Sequence, residues 1–146
     1  MYRLVYSITT LLIGYITIYV FDAIVFDISN DPVINTMHYD GKINSYIIFG
    51  VFVLLSQFFL KKIIKLIKWK IITSILFVIS LEEAFFEIAY SLRAEFGTTW
   101  TNMEVRFTLV FGFKETFLLI FVAVTLYILL LWFIKNNKIH KAQTIN

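Results

Sequence analysis

The chain has 146 residues, 60% of them hydrophobic, a net charge of +3 and a mean hydropathy of +0.82. A soluble domain of this length cannot bury that much apolar surface, so the composition indicates a single membrane domain over residues 1–146. The absence of cysteine excludes disulfides and thiol nucleophiles, and two histidines, His38 and His140, do not suffice for a histidine-rich metal site.

The first apolar run, Leu4–Phe21, contains 18 uncharged residues. At about 1.5 Å per residue it can cross a hydrocarbon core of about 30 Å, so we predict a membrane span over residues 4–24. A cleaved signal peptide is the alternative, but the run is long for one, only Arg3 precedes it, and no small-residue cleavage site follows. One face carries small residues at helical spacing, which predicts close contact with another helix: Ser7, Thr10, Gly14 and Thr17.

Residues 27–42 are polar and acidic and hold the only proline, so we predict a loop with turns at its Asn-Asp-Pro and Asp-Gly sequences. His38 lies among acidic residues of this loop. Weak metal binding or pH sensing there competes with the commoner case of a solvated histidine. The next apolar run predicts a second span over residues 43–60.

A basic connector, residues 61–70, follows the second span, and its five lysines alternate with isoleucine, leucine and tryptophan. This pattern predicts a helical segment at a membrane surface, in contact with anionic lipid headgroups. The segment is too short and too close to two spans to favour nucleic-acid binding. The predicted headgroup contacts are Lys61, Lys62, Lys65, Lys68 and Lys70.

Two further spans are predicted. The third covers residues 70–91, because the helical pattern continues through several acids although the uncharged part has only 11 residues. The fourth lies within residues 107–134, where 19 uncharged residues cross alone and the preceding turns project beyond the hydrocarbon or tilt. The predicted fold class is an all-α integral membrane four-helix bundle with up-down-up-down topology.

The charges divide unequally between the two sides of such a bundle. The side with both termini and the connector carries nine basic residues and no acid, whereas the other carries four basic residues and all ten acids. The positive-inside rule then places both termini in the cytoplasm. A cysteine-free composition rich in isoleucine, phenylalanine, lysine and asparagine suits a bacterial cell membrane.

The acids of the third span are the main candidates for a functional site. Counted from its inner edge, Glu82 and Glu83 lie about 17–18 Å along the helix, just past the membrane midplane, and Glu87 lies near ~24 Å. Glu83 and Glu87 share a helical face with Ser80 and Ser91, which we expect to point into the bundle.

Two interpretations of these acids remain open. In the first, Glu83 and Glu87 line an outward-open polar pocket with Asp22, Lys114 and Glu115, which could bind a cation or relay a proton. Lys114 would pair with Glu87, and Glu83 would have to be protonated or reached by water. In the second, the same residues only join helices and solvate helix ends.

The sequence contains none of the motifs of intramembrane metallo-, aspartyl or serine proteases, so we predict no enzyme and no cofactor. The leading hypothesis is a small multi-pass membrane protein that acts through protein or lipid contacts, as accessory, immunity or stress factors do. Its partners would be anionic lipid headgroups and a second copy or another membrane protein. The alternative is a small oligomeric cation- or proton-coupled transporter or channel that uses Glu83 and Glu87.

Overall fold

The computed structural model describes residues 2–26, 35–92, 101–110 and 114–143. These residues are almost entirely helical and include no strand, which confirms the predicted all-α class. The single proline, Pro32, lies between the first two helices in sequence, so no described helix lacks an N–H for that reason. The helices are α1 Tyr2–Phe26, α2 Asn35–Lys65, α3 Ile67–Ser91, α4 Asn102–Val105, a π-helix Arg106–Val110 and α5 Lys114–Gln143.

The first two helices are antiparallel. The Tyr6 hydroxyl donates to the Ser56 hydroxyl at 2.9 Å near one end of the pair. Near the other end, the Lys42 ammonium group lies 2.5 Å from the Asp22 carboxylate. The small-residue face of α1 is buried, as predicted, and allows this close approach.

The second and third helices form a tight antiparallel hairpin. Their helical conformation is interrupted only at Leu66, whose backbone is extended, with φ −111° and ψ 126°. Phe59 stacks on Trp69 beside this break, with ring centroids 5.3 Å apart. At the far end of the hairpin the Asn44 amide donates to Glu87 at 3.4 Å. The basic connector is therefore formed by the joined ends of two long helices.

The fifth helix runs antiparallel to α3. The rings of Phe77 and Tyr127 stack at 4.5 Å near the middle of the two helices. In this register Lys70 of α3 and Lys135 of α5 lie at the same level, at one end of the pair. The four long helices thus alternate in direction, and the described basic residues of α1, of the connector and of Lys135 collect at one end.

Aromatic side chains fill the interior. Phe21 of α1 stacks on Phe85 of α3 at 4.1 Å between ring centroids. Further towards the basic end, a contiguous aromatic cluster joins α2, α3 and α5. It consists of Phe49, Phe52, Phe77 and Tyr127. Rings of this size exclude more apolar surface from solvent than any other side chains and dominate the packing of such a core.

Two predicted boundaries are wrong. The loop prediction over 27–42 fails from Asn35 onward, because α2 begins there; residues 27–34 and the side chain of His38 lie outside the described part of the chain. The fourth predicted span is shorter than expected, since α5 begins at Lys114 and residues 107–110 belong to the preceding π-helix.

Three described helices are long and apolar enough to cross a membrane, namely Tyr2–Val25, Asp40–Lys65 and Lys114–Asn136. The α3 helix, although 25 residues long, is not one of them, because lysines and glutamates interrupt its apolar run. Its buried face also differs from the predicted one. Phe77, Leu81, Ala84 and Ile88 are buried, whereas the side chain of Glu83 is 42% exposed.

Gly41 permits the closest approach between α2 and α3. A Cβ atom at this position would lie 2.7 Å from the backbone oxygen of Glu87 and 2.7 Å from the Oγ of Ser91. Neither the α3 backbone nor the serine Cβ can move away without separating the helices. The Asp-Gly sequence, which resembles a turn signal, therefore serves helix packing here.

We expect Gly41→Ala to destabilise the protein by about 1–3 kcal/mol, the usual cost of overpacking. Gly50→Ala is the matched control: its Cβ would meet only the Tyr15 hydroxyl, at 3.4 Å. Alanine is the better helix former by roughly 0.5–1 kcal/mol, so the control should be neutral or stabilising. Thermal unfolding in mild detergent measures both, and equal stabilities of the two variants would refute the close contact at Gly41.

Candidate functional site

One arginine donates hydrogen bonds to two adjacent acids of α3. The Arg106 guanidinium donates from Nη2 to both Glu83 carboxylate oxygens, at 2.8 and 3.0 Å, and from Nη1 to Glu82. The same guanidinium lies over the Phe86 ring, with its central carbon 4.0 Å from the ring centroid. Charge-assisted bonds with this planar geometry are the strong class of protein hydrogen bonds. We call Arg106, Glu82 and Glu83 the charge clasp.

The segment that carries Arg106 is locally well defined. Thr101 caps the start of α4: its hydroxyl accepts from the Glu104 N–H, and the Glu104 carboxylate accepts from the Thr101 N–H. This bond from the Thr101 backbone holds the pKa of Glu104 below its usual range. The flanking Val105 and Val110 are fully buried. Capping and apolar anchoring therefore fix the arginine from both sides.

The clasp forms only because residues 102–110 pack alongside α3 and do not continue the line of α5. The Phe77–Tyr127 contact sets the antiparallel register of α3 and α5, and this register places a residue near 122 opposite Glu82. In one straight helix Arg106 would lie 16 positions earlier, about 24 Å away. Instead α4 and the π-helix pack directly against α3. We call Asn102–Val110 the return segment.

The clasp is shielded but not sealed from solvent. The side chains of Arg106 and Glu82 are 25% and 17% exposed, whereas that of Glu83 is 42% exposed. One positive and two negative charges leave a net charge of −1. The guanidinium gives both acids a counter-charge and hydrogen-bond donors, without which their burial would be costly.

Glu87 does not join the clasp. Its carboxylate accepts a long hydrogen bond from the Asn44 amide of α2, at 3.4 Å. The predicted pair between Glu87 and Lys114 is wrong, because Lys114 lies exposed at the start of α5 and the Glu87 partner comes from α2. Glu115 is likewise exposed beside it.

Asp22 forms a separate pair with Lys42. The aspartate is only 4% exposed, and the Lys42 ammonium also lies 5.4 Å from the centroid of the Tyr19 ring. The structure thus distributes the predicted acids over three contacts that involve different helices: the clasp, the Glu87–Asn44 bond and the Asp22–Lys42 pair. Among the described residues, no three acids or histidines come close enough to hold a metal ion.

The predicted headgroup residues all lie at the opposite end. Lys61, Lys62, Lys65 and Lys68 are exposed, and Lys70 is half-buried. The ammonium group of Lys62 lies 5.3 Å from the Trp69 ring centroid, which orients it over the aromatic pair at the hairpin. This end is accordingly cationic and amphipathic.

The comparisons with known proteins return no matching family model, no matching curated protein and no matching solved structure. The function of the chain is therefore inferred from its own geometry.

Removal of the arginine should cost stability. A fully buried pair that loses one partner loses about 3–5 kcal/mol, and we expect about 1–3 kcal/mol for Arg106→Gln because the clasp is part-exposed. The matched control, Lys114→Gln, removes the same charge from an exposed position and should change stability by less than about 0.5 kcal/mol. Unfolding in detergent measures both.

A second variant separates charge imbalance from lost packing. Adding Glu82→Gln and Glu83→Gln to Arg106→Gln removes the two unpaired acids, so the triple variant should recover part of the lost stability. If the triple variant were less stable than Arg106→Gln alone, the clasp would not be the source of the effect.

Proposed function

We propose that the protein is a small integral membrane protein whose four long helices all cross the bilayer, with both termini in the cytoplasm, and that it acts without catalysis through contacts with lipid and with other membrane proteins. The charge clasp is the observation that carries this proposal. It gives α3, the long helix whose apolar run is interrupted by acids, a means of crossing.

The charged side chains of α3 determine whether this helix can cross a bilayer. Ionised side chains in a bilayer are costly, by about 2.5–3.5 kcal/mol each on insertion scales, unless they are paired or reach water. Arg106 pairs with Glu82 and Glu83, and Glu87 lies one helical turn nearer the end of α3 that faces the acidic side. The remaining charges of α3, Lys68 and Lys70, lie at the opposite helix end, where long lysines reach headgroups.

The outer surface of the described helices supports lipid and protein contacts. Large apolar side chains point away from the bundle on α2 and α5, and several are more than half exposed. They include Leu54, Phe58, Phe121 and Trp132. Such a surface is suited to hydrocarbon or to another membrane helix and unsuited to water.

The packing favours this role over the alternative, a cation- or proton-coupled transporter. Between the clasp and the basic end, the described interior holds stacked aromatic rings and hydroxyl side chains, among them Tyr6, Ser56 and Tyr127, and no acid. Each acid of the predicted pocket that lies within α1 or α3 bonds to a basic or amide side chain of a different helix. An accessory, immunity or stress-related role in a bacterial cell membrane is consistent with this architecture and with the composition.

The topology can be measured directly, because the chain has no cysteine and a single introduced cysteine reports one position. We expect Thr101→Cys to react with a membrane-impermeant maleimide added to intact cells. Lys65→Cys should react only after the membrane is permeabilised, since α3 separates the two positions across the bilayer. Both residues are exposed in the structure, so neither label needs unfolding.

Reaction of both positions from the same side would show that α3 does not cross. Lys135→Cys, at the basic end, is the internal control and should behave as Lys65→Cys does. The proposed topology as a whole is wrong if Lys135→Cys is labelled in intact cells, as Thr101→Cys is.

Flux separates the two functional hypotheses. We expect purified wild-type protein in vesicles to show no pH- or cation-dependent flux, because its acids are paired and its interior is packed. A flux in the wild type that disappears in Glu83→Gln or Glu87→Gln would contradict the contact role and establish transport. Glu115→Gln, which changes an exposed acid at the same end, is the control.

A further inference from the structure

A shallow groove lies between α3 and α5 at the basic end of the bundle. Its volume is about 400 Å³, within the range of about 300–1,000 Å³ found for ligand sites. It extends over two helical turns of α3, from Lys70 to Val78, or about 12 Å. Besides Lys70, its walls are Ile71, Ser74, Ile75, Val78, Val124 and Ile128.

The mouth of this groove is cationic. Lys70 lines the groove, and the antiparallel register set by the Phe77–Tyr127 stack places Lys135 of α5 at the level of Lys70. The sequence supplies no acid that could offset them, since residues 58–81 and 118–146 contain neither aspartate nor glutamate. Two like charges brought together without a counter-charge favour an anion between them.

We propose that this groove binds one acyl chain of an anionic phospholipid, whose phosphate lies between Lys70 and Lys135. The inference rests on the proposed function, because the groove faces hydrocarbon only if α3 and α5 cross the bilayer. It goes further by assigning one lipid site, with Lys135 as a ligand outside the basic connector.

The combination of features selects this ligand class. The apolar walls match a hydrocarbon chain, which a soluble anion lacks, and the paired ammonium groups match a phosphate. The groove reaches the mouth at the helix ends, where the headgroups of the proposed cytoplasmic leaflet would lie. That leaflet is the one rich in anionic lipid.

The test uses purified protein in detergent, titrated with phosphatidylglycerol or phosphatidylcholine and read by native mass spectrometry. Wild-type protein should retain phosphatidylglycerol in preference to phosphatidylcholine. Each lysine near a headgroup contributes about five-fold in affinity, so Lys70→Gln with Lys135→Gln should weaken phosphatidylglycerol binding about 25-fold. The comparison variant, Lys61→Gln with Lys65→Gln, removes the same charge from exposed connector lysines that do not line the groove. It measures the general attraction of this end to anionic headgroups and should weaken phosphatidylglycerol binding by much less than about 25-fold.

A third variant tests the apolar half of the site. Val78→Phe fills the inner end of the groove without changing charge, and should weaken binding of both lipids. Soluble glycerol phosphate is the further arm, and it should bind much more weakly than the lipid. Thermal unfolding of every variant identifies those that fold. If Val78→Phe does not fold, Val78→Ala replaces it. Because Val78→Ala enlarges the groove, it should retain the lipid.

Three results would overturn the site: equal losses in the two double-lysine variants, tight binding of glycerol phosphate alone, or no preference of the wild type for phosphatidylglycerol. Equal losses would mean diffuse attraction to the basic end and would leave the proposed function intact. Failure of the proposed function appears separately, as labelling of positions 65 and 101 from the same side of the membrane.

Discussion

The architecture depends on one electrostatic constraint, the need to neutralise two adjacent carboxylates about two-thirds of the way along α3. Arg106 meets it with three charge-assisted hydrogen bonds to Glu82 and Glu83. A lysine, with one point charge, could not bridge both acids with the same planar geometry. This contact constrains the path of the chain between α3 and α5, because the arginine reaches the acids only if residues 102–110 leave the line of α5 and pack on α3.

The remaining polar contacts also pair an acid of one helix with a basic or amide side chain of another. Acids collect at one end of the molecule and bond across helices to Lys42 and Asn44, while the connector lysines and Lys135 collect at the other end, where no described acid lies. The aromatic interior separates the two ends. A molecule built in this way has two chemically distinct ends and an apolar circumference, which is the physical basis for the proposed orientation and for the lipid site near Lys70.

Sequence patterns predicted the features that depend on helical periodicity and length. They identified the apolar runs of α1, α2 and α5 and the buried small-residue face of α1, because both are properties of one helix. Contacts between helices were harder to predict. Gly41 was assigned to a turn, although it sits inside α2 against the α3 backbone. The position of Arg106 against α3 does not follow from one straight fourth helix. The Thr101–Glu104 capping signature is the available signal that a separate helix begins just before it.

The pairing of Arg106 with Glu82 and Glu83 can be measured in a membrane by infrared difference spectroscopy of reconstituted protein, which compares the wild type with Glu82→Gln/Glu83→Gln at neutral pH. We expect the double substitution to remove carboxylate bands and to leave the region of protonated carboxyl groups unchanged. Loss of a protonated carboxyl band at neutral pH would contradict the pairing, because an acid that carries its own proton needs no arginine.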